Sequence, residues 1–244
     1  MLFLLRTFRH KLMSANKVTT YILYAIGEIF LVVIGILIAV SIDNWNEKRQ
    51  TKQLEIRYLK ELRDNLTYDI NDIDFNIQFN QSVYQSNHII LNHLRKQLPY
   101  HDSLDFHLSN LVFSTRSIPN TSAYESLKSR GLEIISNDSL RGQITTVYSV
   151  DFTNVIDFEH ADDHAYQYQV FWPKVIQSIE IDSVAKSAKP IDYITLMNDV
   201  AFKNALNANR TYRGVMLGYY EGLRKKVIRL IAHIESELER LQNN

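Results

Sequence analysis

The sequence predicts an all-α protein: a single transmembrane helix followed by an elongated extracytoplasmic helical bundle. Three observations carry that expectation. Residues 18–42 read VTTYILYAIGEIFLVVIGILIAVSI, twenty-five residues with one charged side chain, Glu28, inside the apolar run. After Trp45, apolar residues recur at steps of three, four and seven through two long stretches, the spacing of helices that pack on one face. Only seven Gly and four Pro occur in 244 residues, too few turn formers for a many-stranded β fold.

The apolar run is long enough to span a bilayer. At about 1.5 Å per residue, Tyr21 to Ile42 covers about 33 Å, close to the roughly 30 Å hydrocarbon core. A soluble core helix is rarely apolar on every face for so long. Tyr21 and Tyr24 on one flank and Trp45 on the other suit the two headgroup belts. Ala39-Val40-Ser41 resembles a signal-peptide cleavage site, yet the run exceeds the ~7–15 apolar residues of a signal sequence, so an uncleaved anchor is expected. Ahead of it, residues 1–17 place Leu4, Leu5, Phe8 and Leu12 at helical spacing, with Arg6, Arg9, Lys11 and Lys17 among them. That is a basic amphipathic segment suited to the membrane interface. The division is therefore 1–17 interfacial segment, 18–45 anchor and 46–244 soluble helical domain. The far flank carries as many basic residues (Lys48, Arg49, Lys52, Arg57) as the near one. Because long domains translocate largely regardless of charge, the short basic flank decides, with the N-terminus cytoplasmic and the large domain outside.

Within the soluble part, Leu59, Leu62, Leu66, Ile70, Ile73, Ile77, Tyr84, Leu91 and Leu94 predict one long helix that Leu98-Pro99 stops. Asp102 reads as the N-cap of a shorter helix through Phe113. Asn120, Thr121 or Ser122 caps AYESLKSR, which Gly131 ends in a left-handed C-cap. Asn137 or Asp138 opens the next helix, with Leu140, Ile144, Val147 and Val155 on one face. Residues 181–191 (IDSVAKSAKPI) read as a loop. From Asp199, the series Phe202, Leu206, Tyr220, Leu223, Val227, Leu230, Ile234, Leu238 and Leu241 predicts a second long helix, with Glu235, Glu237, Glu239 and Arg240 on its wet side. Long helices joined by short ones suggest a bundle.

Three stretches resemble a known family: YAIGEIFLVVIGILIAVSIDNWNEKR (residues 24–49), YLKELRDNL (58–66) and AYESLKSRGLEIISNDSLR (123–141). They are similar to a family of single-pass membrane proteins from Bacteroidota, and the likeness covers most of the chain. The Gly-Glu pair inside the anchor is the most specific of its features. The resemblance implies a bacterial inner-membrane protein, for which the outside orientation expected from the basic flank makes the large domain periplasmic. It brings no activity, and no catalytic residue carries over from it.

Composition narrows the function further. Lys plus Arg equal Asp plus Glu at 27 each, which argues against a nucleic-acid binder. The absence of cysteine removes disulfides, thiol catalysis and Cys-based zinc sites. Glu28 is the most pointed candidate, since a carboxylate inside hydrocarbon normally faces protein or water. Ala25, Glu28, Val32, Gly35 and Ala39 follow alternating steps of three and four, a seam on which Gly35 and Ala39 allow close backbone approach. Glu28 lies about two turns beyond Tyr21, near the cytoplasmic boundary, and interhelical glue in a homo-oligomer or snorkelling to the interface is the expected role.

His160 and His164, within EHADDH, have the i, i+4 spacing of a helical metal pair, with Glu159 or Asp163 as a third ligand. They lack a matching distant motif and read as a solvated polar face, so no metal and no cofactor is expected. Asp69, Asp72 and Asp74 read the same way. Tyr166, Tyr168, Phe171 and Trp172 read as core packing, with a ligand-pocket wall or a partner surface as the alternatives. The expected function is that of a membrane-anchored, homo-oligomeric helical scaffold, adaptor or sensor-like module without catalysis. Its partners are the lipid bilayer, its own copies and another membrane protein. The alternatives are a subunit of a proton- or ion-coupled membrane complex using Glu28, and a metal-dependent enzyme at His160 and His164.

Overall fold

The computed structural model describes residues 18–243. The basic segment with Arg6, Arg9, Lys11 and Lys17 lies outside them. The architecture is all-α apart from one small hairpin. The chain divides into two compact units at Leu54/Glu55.

Helix α1 runs over Val18–Arg95. Its apolar part is exposed on every side, as at Leu31 and Phe30, because no other element of the unit covers it. Among the described residues it is the one stretch long and apolar enough to cross a membrane, and it lies near the N-terminus.

From Glu55 onward α1 becomes a core helix. Leu59, Leu62, Leu66, Asp69, Ile73, Asn76, Asn80, Val83, Asn87, Ile90 and Leu94 are all buried. Their steps alternate three and four without a break, the seam of helices packed knobs-into-holes. This corrects the sequence-based stripe in its middle: Ile70, Ile77 and Tyr84 are half-buried beside the seam, while Asp69, Asn76, Asn80 and Asn87 share the seam with Ile73 and Val83. Helix α1 ends with Gln97 at φ 52° and Leu98 N–H donating to His93 C=O at 3.2 Å. Its C-terminal carbonyls are thus satisfied without a glycine.

Helix α2 is Leu104–Ser109, continued by a 3₁₀ turn at Asn110–Val112. Asp102 does not cap it: the preceding residue is Ser103, without a side-chain cap bond, and the His101 ring accepts the Ser103 N–H instead at 3.1 Å. A segment without regular secondary structure, residues 113–121, leads to α3 (Ser122–Arg130). There Asn120 Oδ1 accepts the Ser122 N–H at 3.3 Å and its hydroxyl at 2.8 Å. Gly131 ends α3 with φ 111° and ψ 122°, positive φ as expected but extended rather than left-handed helical.

Residues 138–178 form one helical run, held at its start by Asn137, whose side chain accepts the Leu140 N–H. The run contains α4 (Asp138–Thr146), α5 (Phe152–Asp157), α6 (His164–Tyr166) and α7 (Trp172–Ser178). Between them lie three π-helical turns, Val147–Asp151, Phe158–Asp163 and Gln167–Phe171. Residues 181–191 are not a loop. Strands β1 (Ile179–Ser183) and β2 (Ser187–Pro190) pair antiparallel, Ile181 opposite Ala188. Lys186 N–H closes the turn on Ser183 C=O at 3.1 Å, with Ala185 at φ 55°, a conformation more often taken by Gly or Asn. Helix α8 (Tyr193–Asn198) is capped by Asp192. Helix α9 (Val200–Asn243) starts where Asp199 Oδ1 accepts the Phe202 N–H at 2.9 Å.

Helix α9 repeats the alternation of α1, from Phe202, Leu206, Asn209 and Arg213 to Ile234, Glu237 and Leu241, all buried. Glu237 is therefore on the core side, not the wet side; Asn137 and Arg240 hold its carboxylate. An apolar cluster around Leu94, Leu108, Phe171, Val175 and Phe202 fills the end near the hairpin. Between it and the Leu59–Leu66 end, the α1 seam mixes Ile73 and Val83 with Asp69, Asn76, Asn80 and Asn87, and the α9 seam carries Asn209 and Arg213.

Candidate functional site

The polar layer is built from three helical segments. Arg213 on α9, 1% exposed, donates through Nη1 to Asn80 Oδ1 at 2.9 Å and through Nη2 to Asp163 Oδ1. Gln167 Nε2 donates to Asn209 Oδ1 at 2.7 Å and to Asp163 Oδ1 at 3.2 Å, and Asn209 Nδ2 donates to Asn87 Oδ1 at 3.1 Å. Burial draws the Arg213 guanidinium down to about 10, still cationic at neutral pH, so it meets Asp163 as an ion pair.

Local helix geometry explains how the 138–178 run supplies its share. Asp151, Val155, Glu159, Asp163, Gln167, Phe171 and Val175 are all buried, at unbroken steps of four. In an α-helix of 3.6 residues per turn, each step of four overshoots by about 40°, so six steps would carry the stripe to the far side. The π turns hold more residues per turn and keep the stripe facing α1 and α9. The EHADDH segment is thus divided. Glu159 and Asp163, 5% and 3% exposed, face inward, whereas His160 and His164 are exposed.

Carboxylates also grip the irregular segment that crosses this layer. Both oxygens of Glu159 accept the Ser117 N–H, at 3.1 and 3.0 Å. Asp72 Oδ2 accepts the Ile118 N–H at 3.3 Å and Asp69 Oδ1 the Asn120 N–H at 2.8 Å. A strap without secondary structure thereby finds acceptors for buried backbone donors. Tyr220 donates its hydroxyl to Glu159. Burial pushes the Glu159 carboxyl up, against the pull of Tyr220 and the Ser117 N–H. Burial likewise pushes Asp69 up to about 6, opposed by the Asn120 N–H. Asp69 and Asp72 therefore belong to the strap rather than to a solvated face, and Asp74 pairs with Arg224 at 2.5 Å. Asp69 Oδ2, Asn76 Oδ1, Ser117 Oγ and Arg213 Nε are buried without a hydrogen-bond partner among the described residues. Each orphan of this kind costs about 1–3 kcal/mol, so the layer is not arranged for stability alone.

Beside the layer lies a cavity of 430 Å³ lined by Ser114, Thr115, Arg116, Glu159, His160, Asp163, His164 and Tyr168. The strap forms one wall and the π-turn segment the other. The aromatic group before Pro173 divides in the same way. Phe171 is buried. Tyr166 stacks on Tyr212 at 4.7 Å and donates its hydroxyl to Ala205 C=O at 2.5 Å. Tyr168 stands at the cavity, its ring 4.2 Å from that of His164 and 4.6 Å from that of Trp172.

The structure thus brings His160 and His164 to one cavity with Glu159 and Asp163. No group of three or more His, Asp or Glu among the described residues is placed to hold a metal ion. In the other unit, Glu28, Val32, Gly35 and Ala39 are exposed and Ala25 is half-buried. A Cβ at Gly35 would meet nothing within 4 Å. Tyr24 and Trp45 are exposed, and Arg49 lies over the Trp45 ring at 5.7 Å; Tyr21 is on the same helix. The strap carboxylates and the Asn80–Arg213–Asp163 chain escape a search for known motifs. Their signal is polar residues at the three-four positions of α1 and α9 and at the four-step positions of the π run.

The chain matches the model of a family of unknown function, DUF6090, over residues 28–168 and belongs to that family. No curated protein and no solved structure matches it.

Proposed function

We propose that this family member is a membrane-anchored helical module, a scaffold, adaptor or sensor-like protein without catalytic activity, which self-associates through its anchor. Its N-terminus lies in the cytoplasm and residues 46–244 in the periplasm of a bacterial inner membrane. One observation carries the reading: within α1 the solvent that suits the side chains changes. Residues such as Ile29, Leu31 and Leu37 are exposed hydrocarbon, stable in lipid but costly in water, whereas beyond Glu55 the helix buries a packed seam. The absence of catalysis is supported by the engagement of Glu159 and Asp163 in holding the Ser117 N–H and Arg213. Those are structural tasks.

The test is membrane fractionation with single-cysteine labelling, which is clean because the native chain has no Cys. The protein is expected in the membrane pellet after alkaline extraction. A cysteine at Asn243 should react with an impermeant reagent in intact spheroplasts, and one at Ser14 should not. Recovery in the soluble fraction would refute the anchor, and reversed labelling would refute the orientation.

A further inference from the structure

We propose that the 430 Å³ cavity binds a small zwitterion of the amino-acid class, with its ammonium group on Asp163 and its carboxylate on Arg116. Asp163 supplies a fixed anionic floor. Its Oδ1 is taken by Arg213 and Gln167, and its Oδ2 accepts no hydrogen bond from the described residues although the side chain lines the cavity. A carboxylate held rigid by a buried guanidinium is a preorganised acceptor for a cation.

Arg116 supplies the opposite charge. It is exposed, it lines the cavity from the strap and it forms no ion pair among the described residues. Its planar fork matches a carboxylate bidentately. The Ser114 hydroxyl on the same strap adds a donor, as does that of Thr115, whose oxygen accepts from Asn80 at 3.4 Å. The Tyr168 ring, tilted against those of His164 and Trp172, offers an apolar face for the ligand's side chain.

Alternative occupants fit less well. A lone anion would meet Glu159 and Asp163 at the floor, and the residues present do not group as metal ligands. The volume lies within the range of small-molecule pockets, roughly 300–1,000 Å³. This inference deepens the sensor-like part of the function proposed above by naming the ligand class. The anchor stands or falls separately, on fractionation.

The test is calorimetric titration of the full chain, purified in mild detergent, with L-phenylalanine as probe. Two derivatives each lack one charge: N-acetyl-L-phenylalanine without the ammonium and L-phenylalanine amide without the carboxylate. L-Phenylalanine should bind, and each derivative should bind at least about tenfold more weakly. Arg116→Gln, on an exposed residue, should leave the melting temperature unchanged. It should weaken L-phenylalanine about tenfold while leaving the amide unaffected, because the amide never used Arg116. The proposal is overturned if neither L-phenylalanine nor any other standard amino acid binds. It is equally overturned if the acetylated probe binds as well as the free one, or if Arg116→Gln binds L-phenylalanine unchanged.

Discussion

Glu159 holds the backbone N–H of Ser117 with both carboxylate oxygens, at 3.1 and 3.0 Å, across 42 residues of sequence. This contact fastens an irregular strap to a helix that has been wound into a π turn at that point. It also aligns the two walls of the cavity, since Ser114–Arg116 and Glu159–His164 face each other across it. The stability of the strap and the shape of the cavity therefore depend on the same side chain.

Strap release is the most direct consequence. Glu159→Ala removes the Ser117 acceptor and the Tyr220 partner together, leaving two buried donors unpaired at about 1–3 kcal/mol each. Limited trypsin digestion should then cut after Arg116 much faster than in the wild type, because a protease needs the strap locally open. Glu159→Gln keeps an acceptor and should lie between the two. Equal cleavage rates in wild type and Glu159→Ala would contradict the role of this contact.

The Arg213–Asp163 pair makes a second, energetic prediction. Removing one member of a buried pair leaves the other charge uncompensated, at about 3–5 kcal/mol. Arg213→Met and Asp163→Asn should each lower the melting temperature strongly. The double variant should lose less than the sum, with a coupling of at least about 1 kcal/mol. Additivity would mean that the two side chains do not act as a pair.

Two carboxylates should shape stability against pH in opposite senses. Burial pushes Asp69 up to about 6, so the native state holds this proton more tightly than the unfolded chain. Its contribution therefore falls as pH rises from about 4 through about 6. Glu237 is held low, by Arg240 first and Asn137 as well, so its contribution is present above the usual carboxylate range and fades as pH drops through its native value. Thermal unfolding across pH 3–8 checks both. Asp69→Asn should flatten the decline and stabilise the protein near pH 7, by on the order of 1 kcal/mol after allowance for solvent screening. Glu237→Gln should destabilise at pH 7 and matter little at pH 3. An unchanged slope in Asp69→Asn would show that another group sets it.

What was legible in the sequence follows from which physical signals are one-dimensional. The apolar run, the ends of α1 and α3 and the two long helices are written in local composition, and the structure has them. The β1–β2 hairpin was missed because its turn uses Ala185 at positive φ, where a glycine would have marked it. The site was missed for a different reason. Asp69, Asn80 and Arg213 occupy seam positions where apolar residues are expected, while Ile70, Ile77 and Tyr84 on the flank of the α1 seam carry the apolar pattern. The burial of Glu159 and Asp163 depends on π turns, and a four-residue repeat reads as drift until the helix is known to be under-wound. Pairing across 50 residues, as between Arg213 and Asp163, leaves no local trace.

The apolar segment of α1, proposed above as the anchor, yields the last prediction. Gly35 faces open space, with nothing within 4 Å of a Cβ placed there. The single chain therefore tolerates Gly35→Leu without steric penalty, and any effect of that change reports on a neighbouring helix. If Ala25, Val32, Gly35 and Ala39 form a seam between copies, leucine at 35 should block close backbone approach and weaken the oligomer. Glu28 separates the two roles proposed for that seam. As interhelical glue it needs only a donor and an acceptor, which glutamine retains, so Glu28→Gln should assemble and function as the wild type does. As a proton carrier it must titrate, so Glu28→Gln should assemble yet fail to complement a deletion strain. The mass of the purified protein in detergent and a complementation assay decide between them. We expect an oligomer weakened by Gly35→Leu and unaffected by Glu28→Gln. A wild-type monomer, or an oligomer indifferent to Gly35→Leu, would remove the seam from the model of function.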